Sequence, residues 1–591
     1  MTNASDQRSF AKSLFFGDIQ EDMVFPYPAL DPEKRARLDA VLSSVDALAQ
    51  RKIDPRKSDR DARLPDDVVA GIKELGLMGM QTPSEYGGLG LDVTSYARIM
   101  QELAAFDPSV AVLLGAHQSI GMKALLLFGT QEQKSKYLPR LATGEHIAAF
   151  ALTEATAGSD VQGMKAKAVL NDDGSYTLNG DKIWITNGGL ADVITVFAKL
   201  KCIKDGEEKE RITAFIVEKS MGFKAGPPDE KMGQRGANTT SIHLANVRVP
   251  AANVLGEPGN GFKIAMEVLN NGRLGLASSC VGVGKYALKL AVDHAQARKQ
   301  FGRKIAEFGM IQQKIGEIIL GIYAMESIAY LTTGMVDRGV KDFSIESSIC
   351  KAYNTEMLWS IVNHALQIAS GEGYMTEHPY ERLVRDARLN MIFEGTNEIQ
   401  RMFIALSGME GPGQKLAELA KAFRHPIGDV GVIYDYVAAK VSHTMSADRL
   451  TMSHPQLKDE AEGFEEGVKA LAATVEAAIR KYGKHVIDEQ FLQKRVAEIA
   501  MNLYVQVACI ARATAQIRAL GAEESGAETR VCRAVCRNAR HNVKQLLEAC
   551  KHNDDDEIRK IAGFAYESGG YFLSAAVLRP VDYAGKPVPA S

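Results

Sequence analysis

The chain has 591 residues, 46% of them hydrophobic and 24% charged, with a formal net charge of −3. That length implies several domains around more than one core, and the composition is that of a globular, soluble protein. The charge leaves no footprint for nucleic acid, and no run of eighteen apolar residues reads as a membrane span.

The start lacks a signal-peptide core, and Asp6, Asp18, Glu21 and Asp22 argue against a transit peptide. It reads as a mature cytoplasmic start of bacterial type. Residues 1–40 read as an extended arm broken by Pro26, Pro28 and Pro32. From 41 to 148 the periodicity is helical. Asp66 and Asp67 open a helix through Ile72 and Leu75 that stops at Gly76. The glycines between Tyr86 and Asp92 read as turn formers. From 149 to 258 short β-rich runs follow: AAFAL, SYTLNG, KIWIT, VITVFAKL, RITAFIVE and SIHLANVRV. Turn signals at Asp173-Gly174, Asn179-Gly180 and Asp205-Gly206 separate them and predict an antiparallel β-domain. Helical periodicity returns over 259–408.

No G-x-G-x-x-G closes a strand and opens a helix, so a Rossmann nicotinamide site is unsupported. The glycines of GEPGNGF, Gly256 to Phe262, read as a domain-boundary turn. GMEGPGQ predicts a break after Gly408, a linker over 409–435 and a further helical domain over 436–591. QFLQKRVAEIAMNLYVQVACIARATAQI there carries an apolar residue every three or four positions, the stripe of a packed helix. The expected class is α+β, mainly α: helical domain, β-domain, helical bundle, then an added C-terminal helical domain. The seven cysteines read as reduced thiols. Cys532 and Cys536 share a helix face without a second pair at zinc-site spacing, and no metal site is expected.

Arg388 to Gly408, RLNMIFEGTNEIQRMFIALSG, carries the chemistry. It sets one carboxylate, Glu394, in an apolar run. Burial would raise its pKa from about 4.3 toward roughly 6–7, where a general base works near neutral pH. Gly395 allows close backbone approach, and Thr396 and Asn397 supply polar atoms beside it. The same residues also suit a buried glutamate neutralised by Arg385 or Arg388.

FEGTNEIQR resembles the catalytic-base loop of acyl-CoA dehydrogenases. FALTEATAGSD (Phe150 to Asp160) and KIWITNGG (Lys182 to Gly189) resemble that family's flavin-contacting segments. RKQFGRKI (Arg298 to Ile305) and QIASGEGY (Gln367 to Tyr374) resemble its cofactor-binding segments near the subunit contact. All five occur in the family's order and at its distances.

The resemblance implies FAD as cofactor and α,β-dehydrogenation of an acyl-CoA thioester, with Glu394 taking the α-proton. It places Phe150, Leu152, Thr153, Trp184, Ile185 and Thr186 at the flavin, with Thr186 near N5 and Trp184 over one ring face. Ser159 falls at the pyrophosphate or the CoA arm. Arg298, Phe301, Gln367 and Gly371 reach the adenosine half from a neighbouring subunit. Thr396, Asn397 and Glu398 lie at the cofactor just beyond the base. Asn270, Arg273, Phe393 and Gly395 face the substrate. Read without the family, Trp184, Ile185 and Thr186 suit an ordinary strand, and Arg273 and Arg298 suit solvated charges. Some branches carry the base beside the position of Arg273, but here Asn270, Asn271 and Gly272 precede it. Two departures are Ala155, where proline is usual, and Gly309, where glutamine is frequent.

VFPYP (Val24 to Pro28), QSIGMKALLLFGT (Gln118 to Thr130) and the long extension resemble the very-long-chain branch. That implies long acyl substrates, electron-transfer flavoprotein as acceptor, a homodimer, and peripheral membrane contact. Lys415 to Val441 is the interfacial candidate, with a packed surface helix as the other reading. Pocket depth is expected to depend on residues such as Gly121 and Met122. Acyl-CoA oxidases and an assembly-factor relative of a respiratory complex are the rival functions.

Overall fold

The computed structural model describes residues 9–204, 206–422, 449–571 and 573. The N-terminal segment is helical, not extended: α1 (Phe10–Leu14), α2 (Glu21–Val24) and α3 (Pro32–Lys52) already occupy it. The prolines start helices as well as break them, since Pro32 at the first turn lacks only an N–H that has no partner there anyway. α4 (Pro55–Asp61), α5 (Asp66–Glu74), α6 (Val93–Phe106) and α7 (Pro108–Leu114) follow. A π-helical stretch, Gly115–Met122, then leads into α8 (Lys123–Phe128) and α9 (Gln131–Ala142).

The β-domain is one sheet of eight strands: β1 (Ala148–Ala151), β2 (Lys167–Leu170), β3 (Tyr176–Thr186), β4 (Val193–Lys204), β5 (Glu207–Glu218), β6 (Lys224–Pro228), β7 (Thr239–Val249) and β8 (Val254–Leu255). The order is β6-β7-β3-β2-β4-β5-β8, with β1 beside β4. Pairing is mainly antiparallel, but β1 and β2 both run parallel to β4. Asn179-Gly180 does not turn the chain. It is an irregularity inside β3, where a Cβ on Gly180 would sit 2.6 Å from that of Ala166.

The helical bundle comprises α10 (Gly261–Ala297), α11 (Gly309–Asp337), α12 (Ser344–Tyr374), α13 (Tyr380–Asn390) and α14 (Asn397–Ala422), with a short hairpin, β9 (Lys299–Gln300) and β10 (Arg303–Lys304), after α10. α12 bends at Ser370. Gly282 lets α10 press onto α6, where a Cβ would overlap the Gln101 carbonyl oxygen.

The expected break after Gly408 is absent, because α14 continues through Pro412 to Ala422. The glycines there are seats for the N-terminal segment. A Cβ on Gly408 would lie 2.3 Å from the Phe15 ring, and one on Gly411 2.5 Å from Phe16. Most of the interfacial candidate, Lys415 to Val441, lies outside the described residues. α15 (Lys458–Tyr482), α16 (Gln490–Leu520), α17 (Gly526–Lys551) and α18 (Asp555–Ser568) form the added domain. Phe10 and Leu14 share one core with Tyr504 of α16, Ile404 of α14 and Ile349 of α12. Burying those side chains, at about 1.5–3 kcal/mol each, clamps the added domain to the bundle. Cys509, Cys532 and Cys536 are buried in that core.

Among the described residues, three stretches, Pro108–Phe128, Gly309–Asp337 and Gln490–Leu520, are long and apolar enough to cross a membrane by length and composition. Most of each is buried inside the protein.

Candidate active site

Glu394 closes the loop between α13 and α14 in a left-handed conformation, φ +59°. Its carboxylate turns inward, and Oε2 is buried without a hydrogen-bond partner. Burial pushes the carboxyl up to about 7, against the opposing pull of Arg273 and Lys351. Arg385 does not neutralise it. That guanidinium is bound to Asp59 and Glu381. Gly395 continues the turn at φ +89°, and a Cβ there would meet the Gln400 amide at 2.4 Å. The close neighbour of Gly395 is thus Gln400, whose Nε2 donates to the Glu394 and Gly395 carbonyls at 3.1 and 3.3 Å.

A mainly apolar cavity of about 70 Å³ lies against Glu394 between α6, α7, the π-helical stretch and α10. Thr186 and Phe393 line it with the base, and Met100, Ala104, Ala111, Gly115, Leu276 and Val283 are among its other lining residues. Along α10 it follows Gly272, Gly275, Leu276, Ser279 and Val283, a one-sided helical stripe about 16 Å long at about 1.5 Å per residue. Gly272 leaves room for the base, since a Cβ there would lie 3.3 Å from Glu394 Oε2. Gly121 and Met122, expected to set the depth, face away. Gly121 packs on Ala148, and Met122 sits in the core beneath the sheet. The π-helical stretch presents Gly115, Ala116, Ser119 and Ile120 to the cavity instead.

The flavin-segment residues divide by exposure. Phe150, Leu152 and Ile185 are core side chains, with Phe150 4.8 Å from Phe197. Thr153 is half-buried and its carbonyl accepts from Ile183. Ser159 lies on an exposed turn. Trp184 is 66% exposed at φ +56°, a strained conformation for a bulky residue. A buried ion pair missed in the sequence holds this region. Lys182 Nζ donates to Glu154 Oε1 at 2.7 Å and to the Leu152 carbonyl at 3.1 Å. Glu154 also accepts from the Lys165 and Ala166 amides, tying the 150–166 segment to β3.

Arg273 is buried and turned to the loop, not to solvent. It donates to Asn270 Oδ1 at 2.8 Å, Ser348 Oγ at 3.3 Å and the Glu394 carbonyl at 3.4 Å. Asn270 is thereby occupied. Asn397 is also turned inward, onto Lys351, Thr355 and Glu356. Thr396 accepts from the Ile399 amide at the start of α14, and Glu398 is exposed.

Arg298, Phe301, Gln367 and Gly371 form a separate exposed cluster at the far ends of α10 and α12. Phe301 is 93% exposed at φ +53°. His294 and Glu372, 3.8 Å apart, bring the two helix ends together. Arg273 and Arg298 stand twenty-five residues apart on or capping one helix, about 37 Å at helical rise.

Three family models, the N-terminal, middle and C-terminal domains of acyl-CoA dehydrogenase, match residues 36–145, 149–247 and 259–409. A fourth, the ACAD9/ACADV C-terminal domain, matches 455–571. The chain belongs to the acyl-CoA dehydrogenase family. The very long-chain specific acyl-CoA dehydrogenase of rat mitochondria is 41% identical over 584 residues, covering 96% of this chain and 89% of its own. Among solved structures, an acyl-CoA dehydrogenase complexed with FAD from Bacillus anthracis is 31% identical with a TM-score of 0.75 and covers 95% of both chains. Butyryl-CoA dehydrogenase from Megasphaera elsdenii is 36% identical, with a TM-score of 0.60, over 64% of this chain and 97% of its own. This acyl-CoA dehydrogenase is therefore an FAD-dependent oxidoreductase that carries the added C-terminal helical domain.

The residues present fit a flavin. The broad face of Trp184 is uncovered beside a threonine that opens onto the same cavity as the base. Phe301 presents a second uncovered ring at the distant cluster. The cavity wall of α10 was the part of the site missed in the sequence. Its signal was there in NNGRLGLASS, small residues at helical spacing beside an arginine.

Proposed function

We propose that this enzyme oxidises long-chain acyl-CoA thioesters to trans-2-enoyl-CoA in fatty acid β-oxidation, with Glu394 as the α-proton acceptor. One observation carries the reading: Glu394, with Oε2 buried and unpartnered, and Thr186 line one mainly apolar cavity. The α-carbon of a chain lying in that cavity sits against the base. The Glu394 backbone N–H donates to the thioester carbonyl, stabilising enolate charge as it develops. Arg273 and Gln400 fix the loop that carries both groups. The walls exclude water, which keeps the carboxylate poorly solvated and basic. FAD, when bound, supplies the acceptor for the β-hydrogen as hydride. Thr186 and Trp184 would hold its ring, with Thr153 and Ser159 farther along.

The distant Arg298, Phe301, Gln367 and Gly371 cluster supports a homodimer. At about 37 Å along α10 from Arg273, which binds the base loop, it serves a cofactor seated on a neighbouring copy. An electron-transfer flavoprotein is the proposed acceptor and the cytoplasm the proposed location. Peripheral membrane contact through Lys415 to Val441 remains a proposal from the sequence.

Anaerobic titration with palmitoyl-CoA tests the function. Bleaching of the flavin's visible absorption is expected. A yellow protein that no long-chain acyl-CoA bleaches would defeat the reading.

A further inference from the structure

Lys351 is a buried lysine with no part in the proton transfer just described, and the C-terminal domain has no part in it either. A run of hydrogen bonds joins the two. Lys351 Nζ, on α12, donates to the Gly395 carbonyl at 2.8 Å and to Asn397 Oδ1 at 2.7 Å. Asn397 Nδ2 donates in turn to Glu356 Oε1 at 3.0 Å. Glu356 takes both prongs of Arg401, at 2.6 and 2.8 Å. The remaining Arg401 donor, Nε, reaches Glu498 Oε1 at 2.9 Å. Glu498 belongs to α16, in the added domain.

Each link is of the strong kind. The Arg401 fork is bidentate to one carboxylate and charge-assisted to a second. Its side chain is 13% exposed, with Glu498 at 20% and Glu356 at 38%, so solvent screens the pairs in part. Lys351 is fully buried and has exchanged water for two acceptors on the base loop. Taking one acceptor away leaves a buried donor unsatisfied, which costs more than the bond itself contributes.

We propose that the C-terminal domain is a positioning element of the active site: Glu498, through Arg401, Glu356, Asn397 and Lys351, holds the backbone that aims Glu394. The proposal rests on Glu394 being the base. It assigns the extension a role in the chemical step, beyond packing. Lys351 and Glu498 are positioning residues, since neither lines the acyl cavity.

The charged and titratable groups around the loop set the sign. Lys351 faces Arg273 and Cys280 of α10, Glu356 of its own helix, and Glu394. Glu394 faces Arg273 and Lys351, with Tyr96 of α6 nearby. Burial and the facing Arg273 bring Lys351 down to about 7; below that pH it is a cation that favours the ionised base, so its loss moves the acid limb of the pH–rate profile upward.

The test uses full-length, FAD-loaded enzyme and anaerobic flavin reduction by palmitoyl-CoA across neutral pH. Lys351→Met should slow reduction on the order of a hundredfold, the scale of a misplaced reacting group, with the acid limb raised. Lys351→Arg should recover most of the rate. Glu498→Gln, at a partly exposed site, should slow reduction on the order of two- to thirty-fold, shift the limb in the same direction and leave KM unchanged. A Glu498→Gln enzyme with the parent's rate and pH profile would overturn the proposal, whatever its melting temperature. Glu394→Gln separates the two levels. If it reduces at the parent's rate, the base assignment fails. If it is inactive while Glu498→Gln is unaltered, the relay alone fails.

Discussion

The base assignment yields a profile that can be worked from the site. Burial holds Glu394 at about 7. The free enzyme's base is therefore mostly ionised at pH 8 and mostly protonated at pH 6. Because kcat/KM reports the free enzyme, it should fall about tenfold for each pH unit below the limb. Glu394→Gln keeps the size of the side chain and removes the basic lone pair. A positioned general base contributes roughly 10²–10⁴ in rate, so flavin reduction by palmitoyl-CoA should drop by at least that order. The glutamine keeps the loop's carbonyl bonds to Arg273 and Gln400, so the FAD content should not change. Stopped-flow reduction, with flavin absorbance as both readout and cofactor count, measures all three quantities. A flat kcat/KM between pH 6 and 8, or a glutamine variant within a few-fold of the parent, would refute the reasoning.

Other expectations follow from single side chains. Trp184→Gly releases a left-handed conformation that costs about 1–3 kcal/mol, so the FAD-free protein should melt no lower while FAD affinity falls; a lower melting point with unchanged affinity would make Trp184 an ordinary strand residue. Arg298→Ala should weaken FAD retention and lower the dimer fraction in sedimentation, yet leave the pH limb of residual activity in place, because it is distant from Glu394 in the same chain. Glu346, buried beneath the N-terminal segment, accepts from Ser9 Oγ and the Ala11 amide. Burial pushes it up to about 7 from an ordinary 4.5, so its contribution to stability is full below pH 4.5 and is lost as pH rises through about 7. Glu346→Gln should therefore gain on the parent with rising pH, by up to about 3 kcal/mol, and equal gains at acid and alkaline pH in denaturant melts would reject the linkage.

The order of helical domain, sheet, helical bundle and added helical domain was legible, because each texture is a periodicity of apolar residues. Glu394 was legible because a carboxylate in an apolar run is conspicuous. What failed was local punctuation answered by distant partners. The glycines at Gly408 and Gly411 read as a break, but they make room for Phe15 and Phe16, almost four hundred positions earlier. Gly180 read as a turn and instead admits Ala166 against β3. The cations around the base were equally hidden. Arg385 and Arg388 were near in sequence, whereas Arg273 and Lys351 come from other helices, 121 positions from Glu394 and 44 from Gly395. Asn270 and Asn397 were expected at substrate and cofactor. Each is spent on one of those cations, which no spacing rule announces.

Backbone strain explains why the site was only partly visible. Among the described residues, eight that are not glycine adopt positive φ: Ala62, Trp184, Asn187, Gln234, Asn246, Phe301, Ser370 and Glu394. Asn187 and Asn246 tolerate that region, and Ala62 caps a helix. Of the others, Glu394 and Gln234 line the acyl cavity, and Trp184 lies two residues before Thr186. Phe301 belongs to the distant cluster, and Ser370 precedes Gly371 of it. At roughly 1–3 kcal/mol each, five such residues cost an amount comparable to the net stability of a domain, about 5–15 kcal/mol. A fold retains that cost only where the surroundings over-determine the conformation. Here they do so through the Lys182–Glu154 pair, which ties the 150–166 segment to the strand that carries Trp184, and through Arg273, Gln400 and Lys351 around Glu394. The left-handed turn at Glu394 is what points a carboxylate into an apolar cavity while its peptide stays on the loop. A sequence pattern records that a glutamate is present, and the distant cations decide which way it faces.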